Sequence, residues 1–443
     1  MSIFKACDIR GKYPDELDVE TARKVGAALG TELGGGDFTV GGDVRPSTPE
    51  LKDALIDGLT GSGSAVTDVG TAPTPAIYWA ARSLQTAGTA IVTASHNPPG
   101  YNGIKFMLGK LPPSPDDVGR VRRRVEAMDF TGGTGSRRER VMREEYLDWL
   151  GEVFGGRSKG LRVLIDAGNG CASEWAPEAF RRAGAQVAEL NCQPDGTFPN
   201  RSPNPSQREN LEQTGQKVRE ADVDFGAAFD GDGDRVVFLD EHGRVVQTDR
   251  AIVLLARAAL ENHPGGGVVY DIKCTDRVPE EVRRAGGIPL PERSGHAFIK
   301  TRLLREEAAF AGEASGHFFF AEIGGDDGLY AALAMARLLK NSGRCMSELA
   351  AAVPDYHITP DIRIPVEPGN AQEVIERVRE TFSNRPQDDT DGVRVDFDDG
   401  WALVRPSVTE PVVTLRCEGD SDAALERIRE RVEHAVQGQA GRE

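Results

Sequence analysis

Long apolar runs and closely spaced cysteines are both missing from this chain. No window approaches the roughly 18 to 20 consecutive apolar residues that a membrane-spanning helix needs, so we expect no membrane insertion. The opening MSIFKACDIRG has no apolar stretch followed by a small-residue cleavage site, and it therefore predicts no secretion signal. The six cysteines are scattered without a CxxC pair, which favours reduced thiols in a cytoplasmic protein and argues against a zinc site.

Positive charge is also scarce: 53 Lys and Arg residues stand against 70 Asp and Glu residues, for a net charge of −17. Nucleic acids and anionic membranes attract basic surfaces, so neither is an expected partner. A small anionic substrate is still compatible with this charge, because a pocket is governed by its own side chains. The acidic surplus fits adaptation to high salt, where screening weakens self-repulsion. It fits a GC-rich coding bias equally well, and the sequence leaves both readings open.

What the sequence does contain is an alternation of short β-branched runs and amphipathic helical stretches, which is typical of α/β domains. At 443 residues the chain is too long for one ordinary core. Gly-rich segments and a new strand near residue 362 indicate where units begin and end. We therefore expect domains at 1–145, 146–255, 256–360 and 361–443.

The sharpest local motif is DGDGDR, in which Asp230, Asp232 and Asp234 alternate with glycines after a predicted strand. Carboxylates at i, i+2 and i+4 fall on one side of an extended chain, and hard oxygens suit Mg²⁺ or Ca²⁺. An EF-hand is disfavoured because Arg235 occupies the position of its required glycine and the flanks are strand-like. An acidic solvated turn is the other alternative. The pattern favours a magnesium site.

Three further segments carry polar groups after apolar runs. TASHNP (93–98) places Ser95 at the end of a strand predicted over 89–95, but it lacks the GxSxG of a serine hydrolase. GEASGH (312–317) offers groups that hydrogen-bond sugar hydroxyls, and RPSVTEP (405–411) offers groups that bind phosphate. Each alone also fits an ordinary turn. TASHNP, FDGDGDR and GEASGH share a weak similarity, since each ends a predicted strand in a polar turn. Because ligands collect at the carboxyl ends of strands, we expect these three turns to face one cleft.

Taken together and in this order, these motifs resemble the α-D-phosphohexomutase superfamily, above all its phosphomannomutase/phosphoglucomutase group. The match runs from FKACDIRG at 4–11 to RPSVTEP at 405–411 and so covers nearly the whole chain. The resemblance implies an α/β protein of four domains around a central cleft. Three similar α/β domains with mixed sheets would carry, in order, the phosphoserine, metal-binding and sugar-binding loops. A smaller α+β C-terminal domain would carry the phosphate-binding loop.

The resemblance also implies three groups of site residues. The catalytic group comprises Ser95, Arg10, Lys105, His96, Arg235 and His317. The ligands of one Mg²⁺ are Asp230, Asp232 and Asp234 with an oxygen of phosphorylated Ser95. The substrate-binding group comprises Lys273, His296, Glu313, Ser315, Arg405, Ser407, Val408 and Thr409. Within it, Glu313 and Ser315 would hold the sugar O3 and O4 hydroxyls, and the 405–409 segment would hold the phosphate that is not transferred.

Two positions depart from the family pattern. Cys7 stands where the opening motif more often has Tyr, so a contact from an aromatic ring at that position is in doubt. Val408 stands where the group often has Asn or Gly, which removes a side-chain hydrogen bond to phosphate.

The expected activity is that of a phosphohexomutase, an isomerase that moves a phosphoryl group between O1 and O6 of mannose, glucose or both. The route would pass through phosphorylated Ser95 and a hexose 1,6-bisphosphate, with His317 or Lys105 as the proton-transfer group. The alternatives are a phosphoglucosamine mutase, a sugar-phosphate phosphatase, and a non-catalytic metal- or sugar-phosphate-binding protein. The expected partners are hexose phosphates alone, and the sequence leaves monomer and homodimer open.

Overall fold

The computed structural model describes residues 3–367, 369–406 and 412–438. These residues form four sheets with helices packed against them. In the described ranges, no helix combines the length and apolar character needed to cross a bilayer. All six cysteines are free thiols.

The first unit is a mixed sheet with helices on its faces. Its elements are β1 (Ile9–Lys12), α1 (Val19–Glu32), β2 (Phe38–Gly42), α2 (Thr48–Gly61), β3 (Ala65–Thr71), α3 (Thr74–Leu84), β4 (Gly88–Val92), β5 (Tyr101–Leu108), α4 (Pro115–Ala127) and β6 (Ser136–Glu139). The strand order is β1-β5-β4-β2-β3-β6. Helix α1 begins where the sequence indicates, because the side chain of Asp18 accepts the backbone N–H of Thr21.

The second unit contains α5 (Arg143–Phe154), β7 (Arg162–Asp166), α6 (Ala176–Arg182), β8 (Gln186–Leu190), α7 (Glu212–Ala221), β9 (Phe225–Phe229) and β10 (Val236–Asp240). The third contains α8 (Thr248–Asn262), β11 (Gly267–Asp271), α9 (Arg277–Arg284), β12 (Ile288–Glu292), α10 (His296–Arg305), β13 (Phe310–Gly312), β14 (Phe318–Phe320), β15 (Gly325–Asp326), α11 (Gly328–Ser342) and α12 (Met346–Ala351).

These three units share one four-strand core. The adjacent strands run β3-β2-β4-β5, β8-β7-β9-β10 and β12-β11-β13-β14. In each core the first three strands are parallel and the fourth is antiparallel. The connection from the third core strand to the fourth is therefore equivalent in all three units, and it contains TASHNP, DGDGDR and GEASGH respectively.

The fourth unit is a smaller antiparallel sheet with two long helices. It contains β16 (His357–Ile358), β17 (Ile362–Pro365), α13 (Ala371–Thr381), β18 (Gln387–Asp388), β19 (Val393–Phe397), β20 (Gly400–Pro406), β21 (Val412–Gly419) and α14 (Asp422–Gln437). Its buried side chains form a separate core, whereas one continuous apolar cluster joins the first three units. The predicted fold class is confirmed. The exact domain boundaries stay a prediction.

Two local predictions differ from the structure. The strand predicted over 89–95 ends at Val92, so Ser95 lies three residues beyond it in an irregular turn. The segment 131–140 is one of the Gly-rich segments that the sequence indicates as a boundary between units, but it contains β6, which pairs in parallel with β3 at the edge of the sheet. All four side chains of β6 are exposed, so no apolar alternation marks this strand in the sequence.

Candidate active site

Three loops from equivalent places in the first three units meet at one point. We name them the Ser95 loop (93–100), the Asp loop (230–235) and the His317 loop (313–317). The Ser95 hydroxyl donates a hydrogen bond to Oδ2 of Asp230 at 2.8 Å. Nε2 of His317 lies 3.3 Å from Oδ1 of Asp234. The structure thus brings together the motifs that sequence reasoning expected to face one cleft.

Ser95 has a backbone conformation that side chains rarely adopt. Its φ is 49°, in the left-handed region, and such a conformation persists only where the surroundings hold it. The Ser95 N–H donates to Oγ1 of Thr93 at 2.9 Å, and its carbonyl accepts from the Arg45 guanidinium at 2.8 Å. The loop therefore fixes the hydroxyl against the Asp loop.

Arg45 is the organising residue that sequence reasoning missed. Its guanidinium pairs with Asp43 at 3.0 Å and donates to four backbone carbonyls, three in the Ser95 loop and one at the start of β5. These acceptors are Ser95, Asn97, Pro98 and Tyr101. Arg45 is only 1% exposed, so its guanidinium has little access to water as an alternative acceptor. A salt bridge and four backbone contacts make Arg45 a positioning residue for Ser95.

The three carboxylates of the Asp loop form a compact buried cluster. Each offers one oxygen within 4.8 Å of the others, and all three residues are fully buried. Oδ1 of Asp232 accepts no hydrogen bond in the described part of the chain, and Oδ1 of Asp234 has Nε2 of His317 beside it at 3.3 Å. Buried carboxylate oxygens without a donor are costly unless a cation binds them. These residues therefore fit a divalent metal ion with oxygen ligands.

Lys105 supplies fixed positive charge to this cluster. Its ammonium donates to Oδ2 of Asp232 at 2.8 Å and to Oδ2 of Asp234 at 2.6 Å. Although burial opposes it, the pair of carboxylates raises the pKa of Lys105 well above its usual value. Burial and the two neighbouring carboxylates raise the pKa of Asp230. Against burial, Lys105 and His317 hold the pKa of Asp234 well below its ordinary value.

Glycine allows the Asp loop to approach the Ser95 loop. A Cβ added at Gly231 would lie 2.5 Å from the carbonyl oxygen of Ser95, closer than real Cβ atoms approach. Thr74, at the start of α3, also reaches the cluster, because its hydroxyl donates to Oδ2 of Asp232 at 2.7 Å. Thr74 follows a loop without a distinctive motif, so nothing in the sequence marks it.

The His317 loop holds a cationic imidazole between carboxylates. Nδ1 of His317 lies 2.9 Å from Oε2 of Glu313 and 2.9 Å from Oγ of Ser315. Burial opposes protonation, but Asp234 and Glu313 raise the pKa of His317 to about 10. His317 in turn overcomes burial to lower the pKa of Glu313 to about 2. The His296 ring stacks on His317 at 5.6 Å, and burial lowers its pKa to about 4, so His296 is neutral at pH 7.

The remaining residues predicted for catalysis surround the same point. Arg10 donates to Oδ1 of Asn97 at 2.9 Å and to Oδ2 of Asp8 at 2.6 Å, which places it on the Ser95 loop. Nδ1 of His96 lies 3.2 Å from the Ser95 hydroxyl, and burial lowers the pKa of this imidazole. The Arg235 N–H donates to Oδ1 of Asp230 at 3.3 Å.

In the third and fourth units, Lys273 and Arg405, two residues predicted to bind substrate, pair with carboxylates. Nζ of Lys273 donates to Oδ2 of Asp361 at 3.0 Å. Nε of Arg405 lies 2.8 Å from Oδ2 of Asp391, and Asp391 also accepts the N–H of Ser294 at 3.2 Å. Asp391 therefore links Arg405 to the loop that precedes His296. Three residues predicted to hold the phosphate that is not transferred lie outside the described residues: Ser407, Val408 and Thr409.

Comparison with known proteins gives the family. Four models of the phosphoglucomutase/phosphomannomutase family match in order: alpha/beta/alpha domain I at residues 1–131, domain II at 144–243, domain III at 247–356 and the C-terminal domain at 362–435. The chain belongs to this family. The resemblance drawn from the motifs is thereby confirmed, and with it the class of enzyme, an isomerase of the phosphotransferase type.

Individual relatives agree over nearly the full length. The phosphomannomutase/phosphoglucomutase of Pseudomonas aeruginosa is 38% identical, over 97% of this chain and 94% of its own. A phosphoglucomutase of Neisseria gonorrhoeae is 37% identical, over 98% of this chain and 96% of its own. The crystal structure of a phosphoglucomutase/phosphomannomutase family protein from Burkholderia thailandensis superposes with a TM-score of 0.92 at 37% identity, covering 99% of this chain and 98% of that one.

Proposed function

We propose that this chain interconverts hexose 1-phosphates and hexose 6-phosphates, with mannose, glucose or both as the sugar, through phosphorylated Ser95. The observation that carries the proposal is the 2.8 Å contact between the Ser95 hydroxyl and Asp230 of a cluster suited to a metal ion. A phosphoryl group on Ser95 would lie beside that cluster and beside the cations of Lys105 and Arg10. Phosphoryl transfer depends mostly on positioning and on neutralising negative charge, and this site supplies both.

The metal we propose is Mg²⁺, held by Asp230, Asp232 and Asp234 together with an oxygen of the seryl phosphate. Bound there, it would neutralise negative charge on the transferring group. The buried Oδ1 of Asp232, which has no donor among the described residues, supports this assignment. Oxygen-only ligands favour Mg²⁺ over softer metals.

The chain's own groups then divide the work of one turnover. A sugar hydroxyl attacks the phosphorus, the bond from phosphorus to Ser95 Oγ breaks, and the hydroxyl proton passes to a group of the site. Glu313 and Ser315 would hold the O3 and O4 hydroxyls. The hexose 1,6-bisphosphate then turns so that its other phosphate returns to Ser95, and it also serves as the activator that phosphorylates a free serine.

Lys105 and His317, the two proton-transfer candidates, both carry a proton at neutral pH. Lys105 donates to two carboxylates, and the pKa of His317 is about 10. In this geometry both fit the stabilisation of charge, or the donation of a proton, better than the role of a base. Arg405 together with Ser407, Val408 and Thr409 would hold the phosphate that is not transferred.

Several finer features belong to the same proposal. The partners are hexose phosphates, without nucleic acid or membrane, as the net charge of −17 supports. A cytoplasmic location is consistent with six free thiols. Monomer and homodimer both fit the site, because the described residues bring its three loops together within one chain.

The test pairs mass spectrometry with mutase assays. We expect phosphate on Ser95 in the purified protein, and loss of nearly all mutase activity in Ser95→Ala. Ser64→Ala is the matched control, since Ser64 is buried with no hydrogen-bond partner for its hydroxyl among the described residues. Retained activity in Ser95→Ala would refute the covalent route. Assays on glucose, mannose and glucosamine 1-phosphates separate the sugars, and stoichiometric phosphate release would instead indicate a phosphatase.

A further inference from the structure

A cavity of about 530 Å³ lies between the first and third units, with α5 closing one side. Its walls include Tyr78 and Trp79 of α3, Met107 of β5, Trp149 of α5 and Lys300 of α10. Among the described residues, none from the Ser95, Asp or His317 loops lines it. The cavity is therefore separate from the cleft in which phosphoryl transfer is proposed.

The walls are mostly flat and apolar. The rings of Trp79 and Trp149 lie 6.0 Å apart at an angle of 36°, and Leu304, Met107 and Ile323 add aliphatic surface. A volume of this size and composition is typical of pockets that bind small organic molecules. The aromatic walls favour a ligand with a planar body.

Lys300 gives this cavity one unusual polar group. The residue is only 4% exposed, yet we find no hydrogen bond from Nζ to any described residue. The nearest carboxylate oxygen, Oδ1 of Asp326, is 3.7 Å away, and Nζ lies 3.9 Å above the Tyr78 ring. Nζ therefore contacts one carboxylate, beyond hydrogen-bond distance, and one aromatic face, and it can still donate to an acceptor that enters the cavity. Gly325 leaves room for the end of the Lys300 side chain, because a Cβ there would lie 2.8 Å from Nζ.

The charges around the cavity favour an anion. Arg82 and Lys110 lie at its exposed edge and add two cations to Lys300. Of the two acidic residues that line it, Asp327 is already satisfied, since it accepts the N–H of Tyr330 at 2.9 Å and the hydroxyl of Tyr146 at 2.5 Å. Asp326 alone faces Lys300, and it does so beyond hydrogen-bond distance.

We propose that this cavity binds a small organic anion with a flat apolar body. The anionic group accepts hydrogen bonds from Nζ of Lys300, and the apolar body lies against Trp79 and Trp149. Asp326 separates the ligand from the catalytic cleft, because its Oδ2 lies 3.8 Å from Nε2 of His317. The inference does not depend on the identity of the hexose or on the phosphoserine route.

The test uses 2-naphthoate as the probe and the uncharged 2-naphthamide as its matched control. Both are titrated into the full chain, and binding is followed by calorimetry and by tryptophan fluorescence. Trp79 and Trp149 would report a ligand in the cavity through a change in fluorescence. We expect 2-naphthoate to bind at least tenfold more tightly than the amide, a difference of about 1.4 kcal/mol. Saturating glucose 1-phosphate should leave the affinity for 2-naphthoate unchanged.

Variants then assign the binding to this cavity. Lys300→Met keeps the length of the buried chain and should weaken 2-naphthoate at least tenfold, with no change for the amide. Lys340→Met, at an exposed position on α11, should leave the affinity for both probes unchanged. Equal affinities for the two probes, displacement by glucose 1-phosphate, or full affinity in Lys300→Met would overturn the proposal. If Lys300→Met does not fold, the comparison of the two probes on the wild type decides alone.

Discussion

Replacement of Arg45 by methionine tests how the Ser95 loop is positioned. Methionine preserves much of the apolar stem but removes the guanidinium. That group pairs with Asp43 and donates to the carbonyls of Ser95, Asn97, Pro98 and Tyr101 at 2.6–3.0 Å. Among these acceptors, the Pro98 carbonyl has a second donor in the N–H of Tyr101, at 3.1 Å.

The magnitude follows from burial. Arg45 is 1% exposed and Asp43 is 3% exposed, so Arg45→Met leaves a buried carboxylate without its cation. Breaking a buried pair in this way costs about 3–5 kcal/mol. Asp43 keeps the hydroxyls of Thr48 and Thr93 as donors, which favours the lower half of that range. A shift of the Ser95 hydroxyl by about 1 Å would lower kcat by about 10².

Two assays measure these effects separately. Hydrogen exchange of the amides in β2 and β4 reports the opening free energy of the first unit, which multi-domain unfolding curves do not isolate. Steady-state mutase kinetics report kcat. Arg162→Met is the matched control, because Arg162 and its partner Asp222 are both exposed at the surface. Its exchange and kcat should equal those of the wild type.

The reasoning fails if Arg45→Met exchanges as slowly as the wild type and keeps kcat within about twofold. It also fails if Arg45→Lys rescues both properties fully. A lysine has three rotatable donors in place of a planar fork of five, and it cannot reach all these acceptors at once.

Three further predictions test the site and its surroundings. Gly231→Ala should lower kcat by about 10², because its Cβ would meet the Ser95 carbonyl oxygen. Gly151→Ala, which has open space around it, is the control and should keep full activity. Equal kcat values for the two variants would contradict the close packing of the Asp loop against the Ser95 loop. Chelation of divalent metal should abolish activity, and added Mg²⁺ should restore it. Asp232→Asn should raise the Mg²⁺ concentration needed for half-maximal activity by about tenfold or more. Full activity after chelation would show that the reaction needs no divalent metal. Burial raises the pKa of Asp327 to about 6 from 3.8, so the folded state binds more protons than the unfolded chain at pH values between these two pKa values. Relative to Asp327→Asn, the wild type should therefore lose about 2 kcal/mol of unfolding free energy as pH rises from 4 to 6, and a difference that stays constant with pH would be inconsistent with this assignment.

The sequence was most informative where polar motifs directly follow buried strands. Asp230 comes immediately after β9 and Glu313 immediately after β13, so the strand ends could be read from the apolar runs. The common core of the first three units explains why such ends meet, since each loop joins equivalent strands. The weak similarity of three polar turns was therefore a true sign of repeated architecture.

Contacts that depend on tertiary packing could not be predicted. Arg45 lies in an ordinary stretch after β2, and its acceptors are 50 to 56 residues away along the chain. The turn that carries Ser95 beyond the end of β4, with a positive φ, is set by those acceptors and by Thr93 rather than by local propensity. The exposed strand β6 could not be predicted, because it has no apolar alternation and its side chains bind polar groups of β3, as Arg138 binds Thr67.

The central claim is that Ser95 hands its phosphoryl group to a sugar hydroxyl and takes one back. The most direct test loads Ser95 with radioactive phosphate, removes free label, and mixes the enzyme with one equivalent of unlabelled hexose 1-phosphate. The account predicts label in hexose 1,6-bisphosphate within a single turnover and later in hexose 6-phosphate. Label that stays on the protein during turnover, or appears as inorganic phosphate instead of sugar phosphate, would contradict it.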